Sequence, residues 1–189
     1  MSSKEITTLE DMLRAVRSGF RPKYLFFWGH SPLPSGEIGK SCLSQWWPAK
    51  FTIGGLSYPT AEHFMMAEKA RLFGDNERRE QILNSTSPKL AKHHGRQVKG
   101  FEEQIWGDVR FDLVVQGNFE KFSQNNRLGA FLIGTGNRVL VEASPVDRIW
   151  GIGLGADNLD ILNPEKWRGL NLLGFALMKV RQRLLEKER

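Results

Sequence analysis

The stretch KFTIGGLSYPTAEHFMMAEKARL, residues 50–72, combines a predicted β-hairpin and a predicted helix in direct succession. Two short apolar segments flank Gly54-Gly55, and paired glycines readily adopt the positive φ angles of a two-residue hairpin turn. The helix begins after Thr60, a favourable N-cap residue, and its apolar residues recur at helical spacing until Gly74. A hairpin that leads directly into a helix indicates an α+β fold rather than a regular alternation of strands and helices.

The residues before the hairpin predict one helix, one strand and one loop. Thr7 to Glu10 has the spacing of a capping box, and the apolar residues that follow have helical period until Gly19. The aromatic run at residues 24–28 predicts a buried strand, and residues 30–44 are rich in proline, glycine and serine, as in a loop.

The residues after the hairpin are mainly helical in pattern. Further helices are predicted over 75–83, from Ser87-Pro88 onward, over 102–122, over 125–133 and from Asn163-Pro164 to the C-terminal region. A strand is predicted at 138–142, followed by a glycine-rich loop at 147–155. The predicted fold class is therefore α+β, a helix-rich single domain with a small β-sheet, in which residues 1–20 form an N-terminal helical extension and residues 21–189 the main domain.

The composition limits the class of protein and of partner. The 189 residues fit one domain, and the single cysteine, Cys42, cannot form a disulfide within the chain. The net charge of +6 and the pI of about 9.6 favour a partner that carries phosphate, although a basic surface without an anionic partner is the open alternative. The N-terminus lacks the apolar segment of a signal peptide, and no apolar run is long enough to span a membrane. We therefore expect a soluble, cytoplasmic protein with no membrane partner.

Glu62 and Lys69 are the first candidate pair for chemistry. Glu62 falls in the first turn of the helix that Thr60 caps, and Lys69 follows seven positions later, close to two helical turns. Both side chains therefore project from nearly the same face of the helix. The open alternative is an ordinary first-turn glutamate, favoured by the helix dipole, together with a solvated lysine.

Asp147 is a second candidate carboxylate. It lies just after a predicted strand, close to Trp150 and among glycines such as Gly151 that allow a ligand to approach the backbone. An aspartate that caps its own turn is the alternative. The tryptophans, including Trp28, Trp106 and Trp150, offer flat faces for a nucleobase, although aromatic side chains more often belong to a core.

The sequence predicts neither a metal site nor a cofactor. His63 has no second histidine three or four positions away, and the neighbouring His93 and His94 point in different directions. The Gly134 to Gly136 segment lacks both the lysine of a phosphate-binding loop and the spacing of a dinucleotide fingerprint.

A series of short motifs identifies a family. In chain order they are Trp47-Pro48, Pro59 to Phe64 with Lys69, Trp106, Lys121-Phe122, Thr135, Leu140 to Glu142, Asp147 with Trp150-Gly151, and Asn171 to Gly174 with Leu177-Met178 and Arg181. In this order and at these intervals they resemble the YbiA-like, or NADAR, family over about residues 24 to 185.

The resemblance implies N-glycosidase activity, the hydrolysis of a bond between a ribose carbon and a nitrogen. The substrates it implies are phosphorylated intermediates of riboflavin biosynthesis and ADP-ribosylated guanine in DNA or RNA, both of which are ribosyl amines that carry phosphate. The catalytic positions it implies are Glu62, Trp106 and Asp147, with Lys69 as a further candidate. The residues predicted to bind substrate are Phe27, Trp28, Trp150, Gly151 and Asn171.

Two departures from the family pattern bear on the choice of substrate. Met65 and Met66 occupy positions where relatives often have a glutamine, and the loop at residues 30–44 is longer. A domain that binds ADP-ribose or nucleic acid without cleaving it is the alternative function. The presence of both Glu62 and Asp147 favours catalysis, because a carboxylate near the sugar stabilises the positive charge that forms there as the amine leaves.

Overall fold

The structure of the protein, a computed structural model, describes residues 6–187. Within that range the chain forms seven α-helices and four short strands. The helices are α1 (Leu9–Arg17), α2 (Ala61–Leu72), α3 (Asn76–Leu83), α4 (Pro88–Gly95), α5 (Glu103–Ser123), α6 (Asn126–Gly134) and α7 (Leu172–Lys187). The strands are β1 (Tyr24–Phe27), β2 (Phe51–Ile53), β3 (Leu56–Tyr58) and β4 (Val139–Glu142). The predicted class, a helix-rich α+β fold with few strands, is confirmed.

The described residues form two compact units. The first unit includes the residues up to Ser44 and those from Arg127 onward, and the second unit is Gln45–Asn126. The predicted boundary at residue 20 remains a prediction, and the start of that extension lies outside the described residues. No helix within residues 6–187 has the length and apolar composition needed to cross a lipid bilayer.

The first unit contains a parallel pair of strands. β1 pairs with β4 in a register that aligns Tyr24 with Val139 and Phe27 with Glu142. Helix α7 packs on β4, and a Cβ on Gly174 would lie 2.1 Å from the Leu140 carbonyl oxygen, so only glycine permits this approach. Because the strands are parallel, their carboxyl ends lie at the same edge, and the segments after Phe27 and Glu142 leave the sheet there.

The second unit contains the predicted hairpin and the helices that pack on it. Phe51 of β2 aligns with Tyr58 of β3, and their rings are 5.7 Å apart between centroids. Gly54 and Gly55 have φ angles of 56° and 81°, as the predicted turn requires. The ring of Phe64 on α2 contacts Tyr58 edge-on at 5.2 Å, which joins the helix to the hairpin.

Two glycines allow close packing of helices on α2. A Cβ on Gly117 of α5 would lie 2.4 Å from the ring of Phe64, and one on Gly95 of α4 would lie 2.1 Å from the Met66 sulfur. Both Met65 and Met66 are buried. The family departure at these positions is thus accommodated within the core of this unit.

Three predictions about local structure need correction. The capping box of α1 is formed by Thr8 and Asp11, one residue later than predicted. The strands form two separate two-stranded sheets rather than one. The segment after Asn163 forms a single 3₁₀ turn at Pro164–Lys166, and the last helix begins only at Leu172.

Candidate active site

Glu62 is a buried carboxylate at the start of α2. The hydroxyl of Thr60 caps the helix by accepting from the N–H of His63, and the N–H of Glu62 donates to the Gln45 carbonyl at 3.0 Å. Only 2% of Glu62 is exposed, so this first-turn glutamate is not a surface residue, and its catalytic role stays a prediction. A negative charge near a helix N-terminus is favoured by the helix dipole.

His63, the next residue, has a structural role. Its Nδ1 lies 2.8 Å from the Thr60 hydroxyl oxygen and its Nε2 lies 3.2 Å from the Ser85 carbonyl oxygen. Burial lowers the pKa of His63 despite the opposing contact with Ser85. Among residues 6–187, no three His, Cys, Asp or Glu side chains are grouped so as to hold a metal ion.

A buried polar network, which the sequence did not predict, is hydrogen-bonded to the backbone of Glu62. The side-chain amide nitrogen of Asn118 on α5 donates to the side-chain oxygen of Gln45 at 2.7 Å and to the Val114 carbonyl at 2.8 Å. Gln45 and Asn118 are both buried, and the main-chain carbonyl of Gln45 is the group that accepts from Glu62. The network therefore connects α5 to the backbone that carries the candidate carboxylate.

Lys121 is a second residue of α5 that was not predicted as a site residue. It is fully buried, and its Nζ lies 4.9 Å from the centroid of the Phe122 ring. It follows Gly117 by four positions and Asn118 by three, so it shares the helix face that packs on α2. Fully buried lysines are rare in proteins. The signal in the sequence was a glycine, an asparagine and a lysine at helical spacing on an otherwise apolar face.

Lys69 lies in an aromatic environment on the same helix as Glu62. Its Nζ lies 3.9 Å from the centroid of the Phe101 ring and 5.9 Å from that of Trp106, close enough for cation–π interaction. Burial lowers the pKa of Lys69, Glu103 opposes this shift and Arg96 adds to it. Seven residues at 1.5 Å per residue separate Lys69 from Glu62 by about 10 Å along the axis of α2.

Trp106 is a buried residue in the first turn of α5. Only 6% of it is exposed, and its main-chain N–H donates to the Glu102 carbonyl at 3.0 Å. The structure places the Trp106 ring near the partly buried amine of Lys69, 5.9 Å from its Nζ to the ring centroid, and the catalytic roles of both residues stay predictions.

Asp147 forms the turn that the alternative interpretation of its sequence described. Its Oδ1 accepts from the N–H groups of Ile149 at 2.9 Å and of Trp150 at 2.8 Å, and its own N–H donates to the Ser144 hydroxyl. This turn lies in the first unit, just after the carboxyl end of β4. Asp147 thereby fixes the position of Trp150, which is half-buried.

Gly151 permits a close approach between backbone segments. A Cβ at this position would lie 2.9 Å from the Glu142 carbonyl oxygen and 3.0 Å from the Ser144 Cβ. The carbonyl of Gly151 accepts from the N–H of Asn171 at 3.1 Å. The need for glycine at this position is therefore explained by packing inside the first unit.

Asn171 holds strand β4 in place. Its side-chain amide donates to the Leu140 carbonyl at 3.0 Å, and its side-chain oxygen accepts from the N–H of Glu142 at 3.0 Å. It is fully buried and has a φ angle of 55°, the only positive value among the non-glycine residues described. Asn171, predicted to bind substrate, has both polar groups of its side chain engaged by the strand.

Phe27 and Trp28 differ in exposure although they are neighbours. Phe27, the last residue of β1, is buried in the core of the first unit, so its ring is not open to a ligand from solvent. Trp28 follows the strand and 58% of it is exposed. Of this predicted pair, Trp28 is the residue that offers a ring face.

The family model described as the NADAR domain matches residues 26–185 of the chain. The chain belongs to the NADAR family. This confirms the resemblance that the motifs carried. A solved NMR structure of the Escherichia coli protein YbiA is similar, with a TM-score of 0.70 and 24% sequence identity, over 99% of this chain and 94% of that one. That likeness shows that the two proteins share a fold.

Curated NADAR relatives include proteins named as N-glycosidases. The chain is 43% identical to N-glycosidase R617 of Acanthamoeba polyphaga mimivirus over 165 residues, which cover 85% of this chain and 95% of that protein. It is 31% identical to the riboflavin biosynthesis protein VVA0006 of Vibrio vulnificus over 171 residues, which cover 90% of this chain but only 41% of that protein. At the level of the family, these names confirm the predicted enzyme class, a hydrolase that acts on N-glycosyl compounds.

Proposed function

We propose that this NADAR protein hydrolyses the C1′–N bond of a phosphorylated ribosyl amine, and that Glu62 is its principal catalytic residue. The single observation that carries the proposal is the burial of the Glu62 carboxylate at the N-terminus of α2. Departure of an amine from the anomeric carbon builds positive charge on the sugar. A fixed carboxylate in a site of low dielectric stabilises that charge far more strongly than water does.

In the direct route, water attacks C1′ while Glu62 takes up its proton as a general base. The electron pair of the C1′–N bond leaves with the nitrogen, which receives a proton, and C1′ keeps the hydroxyl group. We propose that Asp147 orients the ribose hydroxyls or the water from the turn after β4, and that Trp106 or Trp150 lines the sugar or base. The polar network of Gln45 and Asn118 supports this route because it fixes the backbone of Glu62.

A second route passes through a Schiff base on Lys69. The ribosyl amine opens to an imine, the neutral amine of Lys69 adds to C1′ and displaces the departing amine, and water then hydrolyses the enzyme-bound imine. The lowered pKa of Lys69 supports this route, because a larger fraction of the side chain is neutral. Borohydride reduction during turnover separates the two routes. A covalent adduct at Lys69 supports the Schiff base, whereas full activity of Lys69→Met eliminates it.

Two substrate types fit the proposal, and both are ribosyl amines that carry phosphate. ADP-ribosylated guanine in DNA or RNA is one, and a ribosylaminopyrimidine phosphate of riboflavin biosynthesis is the other. The net charge of +6 supports an anionic substrate of either kind. The name of VVA0006 supports the second type only in part, since this chain spans less than half of that protein.

The test is product release by the purified protein in metal-free buffer from each of the two substrates. Glu62→Gln preserves the size of the side chain, and we expect it to lower kcat by about 10²–10⁴-fold, the usual contribution of a general base. Glu68→Gln is the matched control, because Glu68 lies on the same helix and is paired with Arg71 at 2.8 Å. Equal activity of Glu62→Gln and the wild type would refute the assignment of Glu62.

A further inference from the structure

Phe101 is an exposed aromatic residue that lies against the amine of Lys69 within the second unit. It belongs to the short link between the end of α4 at Gly95 and the start of α5 at Glu103, and 39% of it is exposed. The Nζ atom of Lys69 lies 3.9 Å from the centroid of the Phe101 ring. A flat ring at this distance covers one side of the amine.

Among the three rings grouped around this amine, Phe101 has the most contact with solvent. Trp106, whose ring centroid lies 5.9 Å from the Lys69 Nζ, is only 6% exposed, and Phe73 is half-buried. Lys69 itself is half-buried. The approach from solvent to this group of side chains therefore leads past Phe101.

Phe73 holds the Phe101 ring in this position. The centroids of the two rings are 5.3 Å apart and their planes are inclined by 67°, an edge-to-face arrangement that aromatic pairs favour. This contact does not involve the charge on Lys69, so it persists when the amine is neutral and reactive. The attraction in such a pair favours the packed position of the ring over a free one by a factor of roughly two to ten.

The main chain around Phe101 is fixed, so the side chain is the part that moves. The N–H of Lys99 donates to the Asp75 Oδ2 at 2.8 Å, and helix α5 begins at Glu103, two residues after Phe101. Exposed side chains change rotamer within picoseconds to nanoseconds. The ring can therefore leave the amine and return without a rearrangement of the main chain.

We propose that the Phe101 ring is a removable cover on the Lys69 amine, which slows the reaction of this amine with carbonyl compounds. In that reaction the neutral amine attacks the carbonyl carbon, a C–N bond forms, and the oxygen leaves as water to give an imine. The carbon must approach Nζ directly, and a ring at 3.9 Å obstructs one side of this approach. The inference goes beyond the proposed function, because it does not require that Lys69 take part in turnover.

The first test is the rate at which propionaldehyde modifies each lysine of the full chain in the presence of cyanoborohydride. The reductant transfers hydride to the imine carbon, which makes the new bond permanent, and mass spectrometry of peptides gives the rate at each lysine. We expect Phe101→Ala to raise the rate at Lys69 roughly two- to tenfold and to leave the rate at the exposed Lys89 unchanged. Phe101→Tyr keeps the ring and should behave as the wild type.

Leu90→Ala is the matched control, because Leu90 is an apolar residue of the same unit that is 44% exposed. We expect no change of the rate at Lys69 in this variant. Equal rates at Lys69 in the wild type and Phe101→Ala would overturn the proposal, and so would a similar increase in Leu90→Ala.

The second test is a double-mutant cycle between Phe101 and Phe73. Because Phe73 holds the ring over the amine, Phe73→Leu should raise the rate at Lys69, and its addition to Phe101→Leu should give no further increase. Both leucine variants keep an apolar side chain, and thermal denaturation checks that they fold. Independent effects that multiply in the double variant would overturn the proposal.

The third test repeats the rate measurements at pH 8 and pH 10 to separate a cover from an effect on the pKa of Lys69. Loss of the ring also removes a cation–π contact with the ammonium, but this effect on the rate disappears once the amine is neutral in both proteins. Glu103 and Arg96 act on Lys69 in both proteins and cancel in the ratio of rates. A cover obstructs the amine at either pH, so the ratio between Phe101→Ala and the wild type should stay the same. A ratio that falls to one at pH 10 would contradict the proposal.

Discussion

The side-chain amide of Asn118 donates a hydrogen bond of 2.7 Å to the side-chain oxygen of Gln45, and both residues are buried. The main-chain carbonyl of the same Gln45 accepts from the N–H of Glu62 at 3.0 Å. Asn118, on helix α5, therefore supports the backbone of a carboxylate on helix α2 through one intermediate residue. Position and burial of Glu62 thus depend on contacts distant in sequence.

Asn118→Leu removes this support while preserving the approximate shape of the side chain. We expect kcat to fall about tenfold with little change in KM, and the free energy of unfolding to fall by about 1–3 kcal/mol, because buried acceptors lose their donor. Steady-state kinetics and urea denaturation measure the two effects. Asn125→Leu is the control, because Asn125 also donates to main-chain carbonyls, those of Lys50 and Lys121, but is only partly buried. Equal losses of kcat in both variants would contradict a positioning role for Asn118.

Gly117→Ala tests the close packing of α5 on α2. The added methyl group would lie 2.4 Å from the Phe64 ring, so we expect a loss of about 1–3 kcal/mol in the free energy of unfolding. Gly107→Ala on the same helix meets nothing within 4 Å and should instead stabilise the protein by up to about 1 kcal/mol. Thermal denaturation of both variants checks this prediction. A Gly117→Ala variant as stable as the wild type would show that the helices separate at no cost.

Asn171 variants distinguish support of strand β4 from substrate binding. Asn171→Ala loses the hydrogen bonds to Leu140 and Glu142 and also strains a φ angle of 55°, whereas Asn171→Gly loses only the bonds. We expect both variants to lose about 1–3 kcal/mol of stability, the alanine variant more, with KM unchanged within about twofold. A tenfold increase in KM at unchanged stability would instead indicate a substrate contact.

Lys69 gives the stability of the protein a specific dependence on pH. Burial lowers the pKa of Lys69 below the ordinary value of 10.5, so the folded protein binds its proton less tightly than the unfolded chain does. The stability of the wild type relative to Lys69→Met should therefore rise as the pH increases from the lowered pKa towards 10.5. Urea denaturation of both proteins at pH 7 and pH 10 measures this difference. Lys99→Met is the control, because Lys99 is exposed. A stability advantage of the wild type over Lys69→Met that stays constant or shrinks from pH 7 to pH 10 would contradict the prediction.

Local sequence signals predicted most of the helices and strands, because the residues that start and end these elements act over short distances along the chain. The paired glycines at 54 and 55 and the caps at Thr60 and Ser87 act within a few residues, and the hairpin, α2 and α4 occur where these signals indicate. The last helix is the counterexample. Residues after Lys166 form backbone hydrogen bonds to the 148–152 segment, among them Arg168 to Ile152 at 2.8 Å, and these distant partners prevent the helix that Asn163-Pro164 predicted.

The candidate site was predictable only in part for the same reason. Spacing on one helix identified Glu62 and Lys69, the glycine-rich loop after a predicted strand identified Asp147, and the family motifs added a catalytic role for Trp106. Gln45 and Asn118 were missed because they are 73 positions apart in sequence, and nothing local marks them as partners. Phe27 and Trp28 look alike in the sequence, yet one is buried and the other is exposed.

The amino-acid sequence by itself determined the fold class, most element boundaries and the family. Turn formation and helix capping depend on neighbouring residues, and the family motifs follow one another in a recognisable order along the chain. Only the tertiary structure decided which polar groups are buried, which hydrogen-bond acceptors Asn171 and Asn118 satisfy, and which tryptophan faces open space. Burial and long-range hydrogen bonding depend on segments brought together by packing, and the free energy of a charge such as that of Glu62 follows from these surroundings.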